Sequence, residues 1–210
     1  MAAIRGFYAI VDLGPSDEPG TARRQAAALL EGGASVLQLR MKHAPAGLFL
    51  ACARALLPAC RRAGVPLVVN DRLDVALATR ADGVQLGQDD LPAAGARRLA
   101  PGMLVGISTH DLAQARAAAA AGADYIGFGP VFPTRTKERP EPVVGVGGLA
   151  AVCAAVALPV VAIGGITAET APTVIAAGAA AVAAIEATRR GGDARAAAAA
   201  LAAACGRPGR

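Results

Sequence analysis

The chain has 210 residues and no break in composition along its length, so we expect one domain over residues 1–210, with residues 206–210 as a frayed tail. Hydrophobic residues make up 54% of it, which excludes a disordered chain. The net charge is +5, but the arginines are scattered rather than gathered into a stripe, and aromatic residues amount to only 3%. No nucleic-acid partner is therefore expected.

The longest apolar run, residues 174–185, is shorter than the roughly 20 residues that a helix needs to cross a bilayer, so no membrane partner is expected either. The amino terminus lacks the hydrophobic core of a signal peptide. The four cysteines show neither paired spacing nor a histidine at ligand spacing, which favours reduced thiols. Together these features predict a cytoplasmic protein.

Short runs rich in valine and isoleucine alternate with alanine-, leucine- and arginine-rich helical stretches along the whole chain. The predicted strands are residues 7–12, 36–42, 66–71, 83–87, 104–109, 124–130, 159–164 and 180–185. Between them, residues 21–30, 46–63, 111–121 and 169–177 are typical of helices. Continuous apolar strands indicate a parallel sheet covered by helices. Eight such units in one domain predict an α/β fold, the (β/α)8 TIM barrel.

A doubly wound open sheet is the alternative fold. It typically has fewer strands and a glycine-rich GxGxxG turn directly after its first strand. The nearest match, residues 145–148, comes late in the chain and follows no clear strand. This comparison favours the barrel, whose active sites lie at the carboxyl ends of the strands.

The second predicted strand ends in polar side chains. Because side chains alternate along a strand, Gln38, Arg40 and Lys42 point to one side, and Leu39 and Met41 point to the other. Two cations and an amide on one side could bind a polyanion, or they could form a salt-bridged rim with no ligand. The sequence leaves both interpretations open.

The third and fourth predicted strands end in acidic residues. Asn70 and Asp71 end strand three, and Asp90 closely follows strand four. Each alone is more typical of helix capping. Two carboxylates at neighbouring strand ends could also hold Mg²⁺, which needs only one or two carboxylates when water and phosphate complete its shell. Ser108 and His110 follow the fifth strand, where His110 alone is more typical of a polar loop than of a base.

Two later loops are suited to phosphate. After strand six, Thr134, Thr136 and Lys137 stand in a proline-braced loop whose hydroxyls and ammonium could contact phosphate oxygens. After strand seven, Gly164 and Gly165 could bring backbone N–H groups to a phosphate, at the usual phosphate position of such barrels.

Rare residue types concentrate at the same places. Of the 21 lysines and arginines only Lys42 and Lys137 are lysine, and Asn70 is the only asparagine. Lysine is a compact point charge that arginine does not replace. In a chain this rich in arginine, both lysines and the asparagine fall at the strand ends and in the loops already singled out, which indicates that chemistry constrains these positions.

A series of motifs, in chain order and spanning nearly the whole chain, resembles those of the thiamine phosphate synthase family. The motifs are QLRxK (38–42), NDR (70–72), GVxLGQxDL (83–91), GxSTH (106–110), DYIGxGP (124–130), TxTK (134–137) and AIGGI (162–166). The resemblance implies a (β/α)8 transferase that joins hydroxymethylpyrimidine diphosphate to hydroxyethylthiazole phosphate. Thiamine phosphate forms and diphosphate leaves.

The resemblance also implies residue roles. The pyrimidine diphosphate would contact Gln38, Arg40, Lys42, Asn70, Ser108 and Lys137, of which Arg40, Lys42, Ser108 and Lys137 are the catalytic candidates. The Mg²⁺ cofactor would bind Asp71 and Asp90, and the thiazole phosphate would meet Thr134, Thr136, Gly165, Ile185 and Glu186. The partners implied are small phosphorylated substrates. The resemblance leaves monomer and homodimer open.

Three positions depart from the family pattern. Met41 replaces a usual glutamate, on the side facing away from the predicted polyanion site, and Gln85 replaces a usual histidine. After strand eight the family reads Val-Ser-Ala-Ile, whereas this chain reads Ile185-Glu186-Ala187-Thr188. A carboxylate beside a phosphate is repulsive unless it turns away or pairs with a cation. The thiazole-phosphate site is therefore the part that the resemblance supports least.

Two other functions compete with this one. Related thiazole tautomerases keep the barrel but carry histidine where this chain has Pro130, and they lack much of the diphosphate and metal set that Asp71, Asp90 and Lys137 supply. A protein that binds thiamine precursors without turnover, changed at Glu186, is the third hypothesis. The motifs favour the synthase over both.

Overall fold

The structure is a computed structural model that describes residues 4–134, 141–189 and 192–206. In this part of the chain eight parallel strands form a closed barrel in the order β1 to β8. The strands are β1 (Gly6–Leu13), β2 (Val36–Met41), β3 (Leu67–Asn70), β4 (Gly83–Leu86), β5 (Leu104–Thr109), β6 (Tyr125–Phe128), β7 (Val160–Ile163) and β8 (Ala181–Ala184). The predicted TIM barrel is confirmed.

Helices follow the strands and cover the barrel. They are α1 (Pro19–Glu31), α2 (Ala46–Ala63), α3 (Leu73–Thr79), α4 (Ala93–Leu99), α5 (Leu112–Ala120), α6 (Gly145–Ala155), α7 (Ala171–Ala176), α8 (Glu186–Arg189) and α9 (Ala194–Ala204). Asp111 and Asp193 cap α5 and α9 through their carboxylates, which accept hydrogen bonds from backbone N–H groups in the first turn. Across the described ranges, every helix is too short or too polar to cross a bilayer.

The ring closes where β1 pairs with β8, with Gly6 beside Ala181 and Ala9 beside Ala184. On its other edge β1 pairs with β2, from Tyr8 beside Val36 to Leu13 beside Met41. A closed ring leaves no strand edge, so the open-sheet alternative is excluded. Because all strands run the same way, their carboxyl ends meet at one rim, which we call the active rim.

The alternation of side chains divides the core into two parts. Leu37, Leu39 and Met41 of β2 point outwards and pack in the large core between barrel and helices. Val36 points inwards and belongs to the smaller cluster inside the barrel, which includes Tyr8 and Tyr125. Met41 is thus buried away from the barrel interior, as its position in the strand predicts.

Glycines inside the barrel make room for the tyrosine rings. A Cβ on Gly106 would lie 2.2 Å from Cζ of Tyr125 and 2.3 Å from Oε1 of Gln85. Carbon atoms in contact are normally about 3.5–4.0 Å apart, so the ring could not stay where it is. Glycine at this position therefore fixes where the largest side chains of the interior pack.

We expect Gly106→Ala to lower the free energy of unfolding by about 1–3 kcal/mol, the usual cost of overpacking a core. Gly102→Ala is the matched control, because a Cβ there meets no atom within 4 Å. Urea unfolding followed by circular dichroism measures both variants. Equal stability of Gly106→Ala and wild type would show that the interior can repack around the methyl group.

Candidate active site

A cavity of about 230 Å³ opens at the active rim. Its lining includes most of the side chains that the sequence predicts for a substrate site. These are Gln38, Arg40, Asn70, Ser108, Thr134, Gly165, Ile185 and Glu186. The fold thus gathers residues from distant parts of the sequence around one space. Thr136 and Lys137 lie outside the described residues.

A carboxylate holds Arg40 in place. Arg40 ends the inward-facing side of β2, and its Nη1 donates to Oδ1 of Asp12 at 2.5 Å. Asp12 also pairs with Arg189, whose Nη1 lies 3.4 Å from Oδ2 and whose Nη2 donates to the Asp12 carbonyl. Both Asp12 and Arg40 are largely buried, so water screens their pairing less than at the surface. Asp12 ties the end of β2 to the chain after β8.

Lys42, Asp71 and Asp90 form a second group on the active rim, which we call the acidic rim cluster. The ammonium of Lys42 donates to Oδ2 of Asp71, and the two groups lie 2.5 Å apart. The Asp71 N–H donates to the Gln85 carbonyl at 2.7 Å, which fixes its backbone beside β4. Oδ2 of Asp90 accepts from the Gly87 N–H at 2.7 Å. Strand ends β3 and β4 thus bring both carboxylates together.

Burial and the neighbouring charges together raise the pKa of Asp90. Partial burial raises the pKa above its ordinary value, the nearby Asp71 carboxylate raises it further, and the Gly87 N–H and Lys42 lower it. The excess negative charge of the cluster is the kind that a cation relieves. No group of three or more metal-ligating side chains occurs in the described ranges. Two carboxylates nevertheless fit Mg²⁺, which usually takes one or two and fills its shell with water and phosphate.

Amide and hydroxyl groups line the cavity beside this cluster. Nε2 of Gln85 donates to the Ser108 hydroxyl at 3.1 Å, and Nε2 of Gln88 donates to the Ser108 carbonyl at 2.6 Å. Gln85, which stands where the related family usually has histidine, therefore fixes the direction of the Ser108 hydroxyl. His110 lies 2.6 Å from the Gly129 carbonyl through Nδ1. Since a carbonyl oxygen only accepts, Nδ1 carries the proton.

The segment after β6 packs against the end of β7. The N–H groups of Val131 and Phe132 donate to the carbonyls of Ile163 and Gly164. Gly165 has φ +64°, and a Cβ on it would lie 2.5 Å from the Pro133 carbonyl oxygen. Glycine is required here for both reasons. This packing leaves the Gly165 backbone in the cavity wall. An N–H group that binds a phosphate in the cavity needs this position.

The end of β8 completes the wall with Ile185 and Glu186. Ile185 is buried inside the barrel, and the four-residue helix α8 starts at Glu186. The Thr188 hydroxyl donates to the Ile185 carbonyl at 2.8 Å and holds this turn. Glu186 is half-buried and lines the cavity, so the residue that departs most from the family pattern lies in the site itself.

Three residues near the site escape the sequence reasoning. Asp12 holds Arg40, and Tyr8 and Tyr125 are hydrogen-bonded to each other inside the barrel. The rarity of tyrosine could have singled out Tyr8 and Tyr125, because they are the only two in the chain, as rare as the lysines. Strand alternation places Asp12 on the inner side of β1 together with Tyr8. The sequence alone does not indicate which cation it meets.

We expect Asp90→Asn to unfold at a higher temperature than wild type near neutral pH in the absence of divalent cations. Burial raises the pKa of Asp90 in the folded protein, so its ionised form costs folding free energy above that pKa. As the pH falls through the raised pKa, the wild-type carboxyl takes up a proton and the difference disappears. Thermal unfolding across a pH series measures it.

The exposed neighbour Asp89 supplies the matched control. Asp89→Asn should leave the unfolding temperature unchanged at each pH. If Asp90→Asn were less stable than wild type near neutral pH, the Asp90 carboxylate would be a net stabilising group. That result would contradict the prediction that its ionised form costs folding free energy.

Comparisons with known proteins identify the family to which this sequence and fold belong. The sequence model described as thiamine monophosphate synthase matches residues 7–188. A thiamine-phosphate synthase of Chloroflexus aurantiacus is 46% identical over 197 residues, covering 94% of this chain and 91% of that protein. One from Methanocella arvoryzae is 48% identical over 176 residues, covering 82% of this chain and 81% of its own. The structure of thiamine phosphate pyrophosphorylase from Pyrococcus furiosus superposes with a TM-score of 0.84 at 36% identity, covering 95% of each chain. The chain belongs to the thiamine monophosphate synthase family.

Proposed function

We propose that this protein is a thiamine phosphate synthase, a transferase that joins hydroxymethylpyrimidine diphosphate to hydroxyethylthiazole phosphate. Family membership supports the reaction, and the active rim supports the way this chain would perform it. The observation that carries the proposal is the junction of two different surfaces. A cavity lined by Gln38, Asn70 and Ser108 adjoins a charged rim formed by Lys42, Asp71 and Asp90.

The two surfaces suit the two halves of one substrate. Amide and hydroxyl side chains in a cavity can form directed hydrogen bonds with an uncharged heterocycle. A lysine beside paired carboxylates suits a diphosphate that arrives with a divalent cation. Asn70 belongs to the cavity and Asp71 to the acidic rim cluster, so adjacent residues of one chain segment connect the surfaces.

The reaction exchanges one bond for another. The bond between the pyrimidine methylene carbon and the diphosphate oxygen breaks, and both electrons leave with the diphosphate. The thiazole nitrogen supplies the electron pair for the new carbon–nitrogen bond. No protein nucleophile is needed, so the site has to bind, orient and stabilise the departing negative charge.

Among the residues that the structure describes, we assign Arg40 and Lys42 to stabilising the negative charge of the departing diphosphate. Asp12 holds the guanidinium of Arg40 from one side, so its orientation is set before substrate arrives. Lys42 is exposed at the rim and pairs with Asp71, from which it could turn towards a diphosphate oxygen. Lys137 would add a third cation from the loop after β6. Ser108, oriented by Gln85, would contact the pyrimidine diphosphate.

Asp71 and Asp90 would hold Mg²⁺, which supplies charge neutralisation for the leaving diphosphate. The two carboxylates repel each other, yet both stay beside the cavity mouth. Backbone hydrogen bonds hold them there, because the Asp71 N–H donates to the Gln85 carbonyl and the Gly87 N–H donates to the Asp90 carboxylate. Lys42 neutralises part of the remaining charge.

The opposite side of the cavity would take the thiazole phosphate. Thr134, Gly165 and Ile185 line it, and the Gly165 N–H would donate to the phosphate. Thr136 is proposed for the same subsite. Small phosphorylated molecules are thus the partners of this site. The four cysteines are unpaired, which suits a reducing compartment, and we place the enzyme in the cytoplasm.

The test of this function is to incubate the purified protein with both precursors and Mg²⁺ and to measure thiamine phosphate and diphosphate together. We expect equal amounts of the two products, and no product when either precursor or Mg²⁺ is left out. Absence of thiamine phosphate with either precursor in excess would contradict the proposal. A thiazole isomer formed without the pyrimidine would point to a tautomerase instead.

We expect Asp90→Ala to lower kcat about a hundredfold or more, as the loss of a key charge contact in the transition state typically does. Lys137→Ala should have an effect of the same order. Asp89→Ala is the control, because Asp89 precedes Asp90 in the chain but is exposed to solvent. Steady-state rates at saturating substrates measure all three. Wild-type kcat in both Asp90→Ala and Lys137→Ala would show that the catalytic assignments are wrong.

We expect Glu186→Ser to lower the apparent KM for the thiazole phosphate, because it removes a carboxylate from the wall that would meet a phosphate. The KM for the pyrimidine diphosphate should stay the same, which serves as the internal control. An unchanged or higher KM for the thiazole phosphate would mean that Glu186 does not oppose phosphate binding.

A further inference from the structure

The barrel interior contains two tyrosines that the reaction just described does not use, and they are hydrogen-bonded in series to Gln38. Nε2 of Gln38 donates to the Tyr8 hydroxyl at 2.9 Å, and that hydroxyl lies 3.0 Å from the hydroxyl of Tyr125. The three residues come from β2, β1 and β6. Gln38 and Tyr8 both line the cavity, and Tyr125 lies outside its lining, among the apolar side chains of the barrel interior.

Both tyrosines are fully buried, with 1% and 0% of their surface exposed. Burial raises the pKa of Tyr8 to about 12 and that of Tyr125 well above its ordinary value, so both remain neutral phenols. Both take part in the interior as hydrogen-bonding groups. A buried hydroxyl without a partner costs about 1–3 kcal/mol, so the hydrogen-bonded chain has a strong preference for staying connected.

The direction of the hydrogen bonds fixes the amide of Gln38. Because Nε2 donates to Tyr8, the carbonyl oxygen Oε1 points elsewhere. Among the described residues Oε1 has no hydrogen-bond partner, and no side-chain polar atom in this part of the chain is both buried and unsatisfied. Since Gln38 lines the cavity, Oε1 is accessible from it. The side chain thus presents an acceptor to a ligand.

Tyr125 supports this orientation from the far side of the barrel. The Tyr8 oxygen accepts a hydrogen bond from Gln38, and the Tyr125 hydroxyl is its second hydrogen-bond partner. Gly106 leaves the space that the Tyr125 ring occupies, because a Cβ there would lie 2.5 Å from the hydroxyl oxygen. The chain's only two tyrosines thus meet beside Gln38.

We propose that Tyr8 and Tyr125 are positioning residues that hold the Gln38 amide with its oxygen towards the cavity, where it accepts a hydrogen bond from the ring amino group of the pyrimidine substrate. This inference rests on the proposed function, since it assigns one atom of that substrate. A fixed acceptor selects a ligand that carries a donor over one that lacks it. Tyr125 lies outside the cavity lining, so it acts on specificity through Tyr8 and Gln38.

The test compares two pyrimidine diphosphates, the aminopyrimidine substrate and an analogue with hydrogen in place of the ring amino group. The dissociation constant of each is measured by titration calorimetry in wild type, Tyr8→Phe and Tyr125→Phe, because binding does not include the effect of the amino group on the reactivity of the ring. We expect wild type to bind the aminopyrimidine about tenfold or more tightly, the value of one hydrogen bond to a fixed partner. In Tyr8→Phe this preference should fall towards one, through weaker binding of the aminopyrimidine. Tyr125→Phe should change it in the same direction.

Leu104→Ala is the control for a merely structural effect. Leu104 belongs to the same interior cluster but takes no part in the hydrogen-bonded chain. This variant should lower the unfolding temperature and keep the wild-type preference between the two pyrimidines. The KM for the thiazole phosphate should stay within about twofold of wild type in both tyrosine variants, because a local change in one hydrogen bond leaves the other subsite intact.

The outcomes separate this inference from the function on which it rests. A wild-type protein without turnover on the natural pair contradicts the function, and the inference falls with it. An active wild type whose preference survives in both tyrosine variants overturns the inference alone. So does equal affinity of wild type for the two pyrimidines, or an equal loss of preference in Leu104→Ala. If one tyrosine variant does not fold, the other decides.

Discussion

Eight strands that run in one direction around a closed ring must all end at the same rim, and the active site depends on this constraint. Residues as distant in the chain as Arg40 and Ile185 line one cavity because each stands at the end of its own strand. The register from β1 to β8 sets how deep each side chain sits. Gln38 therefore lies lower in the barrel than Arg40, and Lys42 lies at the outer edge.

This depth order also arranges the chemistry. Deepest in the barrel are the two tyrosines among apolar side chains, with Tyr8 forming part of the cavity floor. Both stay neutral because burial raises the pKa of each. Directed hydrogen-bonding groups come next, and the charges of the acidic rim cluster stand where water and ions reach them. Charged groups near solvent avoid most of the desolvation cost that they would meet inside. A substrate with a neutral ring and a charged tail matches this order.

The sequence predicts the barrel and much of its site for the same physical reason. Apolar runs separated by helical stretches define the strands, and their polar ends define the rim, which places Asn70 and Ser108 at the cavity without knowledge of contacts. Pairings across the barrel are harder, because they depend on register between strands far apart in sequence. The contact of Tyr8 with Tyr125 and that of Asp12 with Arg189 are of this kind. The roles proposed for Thr136 and Lys137 fall outside the described residues.

The most direct test of the proposed active site is a crystal structure of the protein with thiamine phosphate, diphosphate and Mg²⁺. The account predicts the metal between Asp71 and Asp90, with the diphosphate against Lys42 and the pyrimidine amino group at Oε1 of Gln38. The thiazole phosphate should lie at the Gly165 N–H. A diphosphate and metal bound away from the acidic rim cluster, with the pyrimidine outside the cavity, would contradict it.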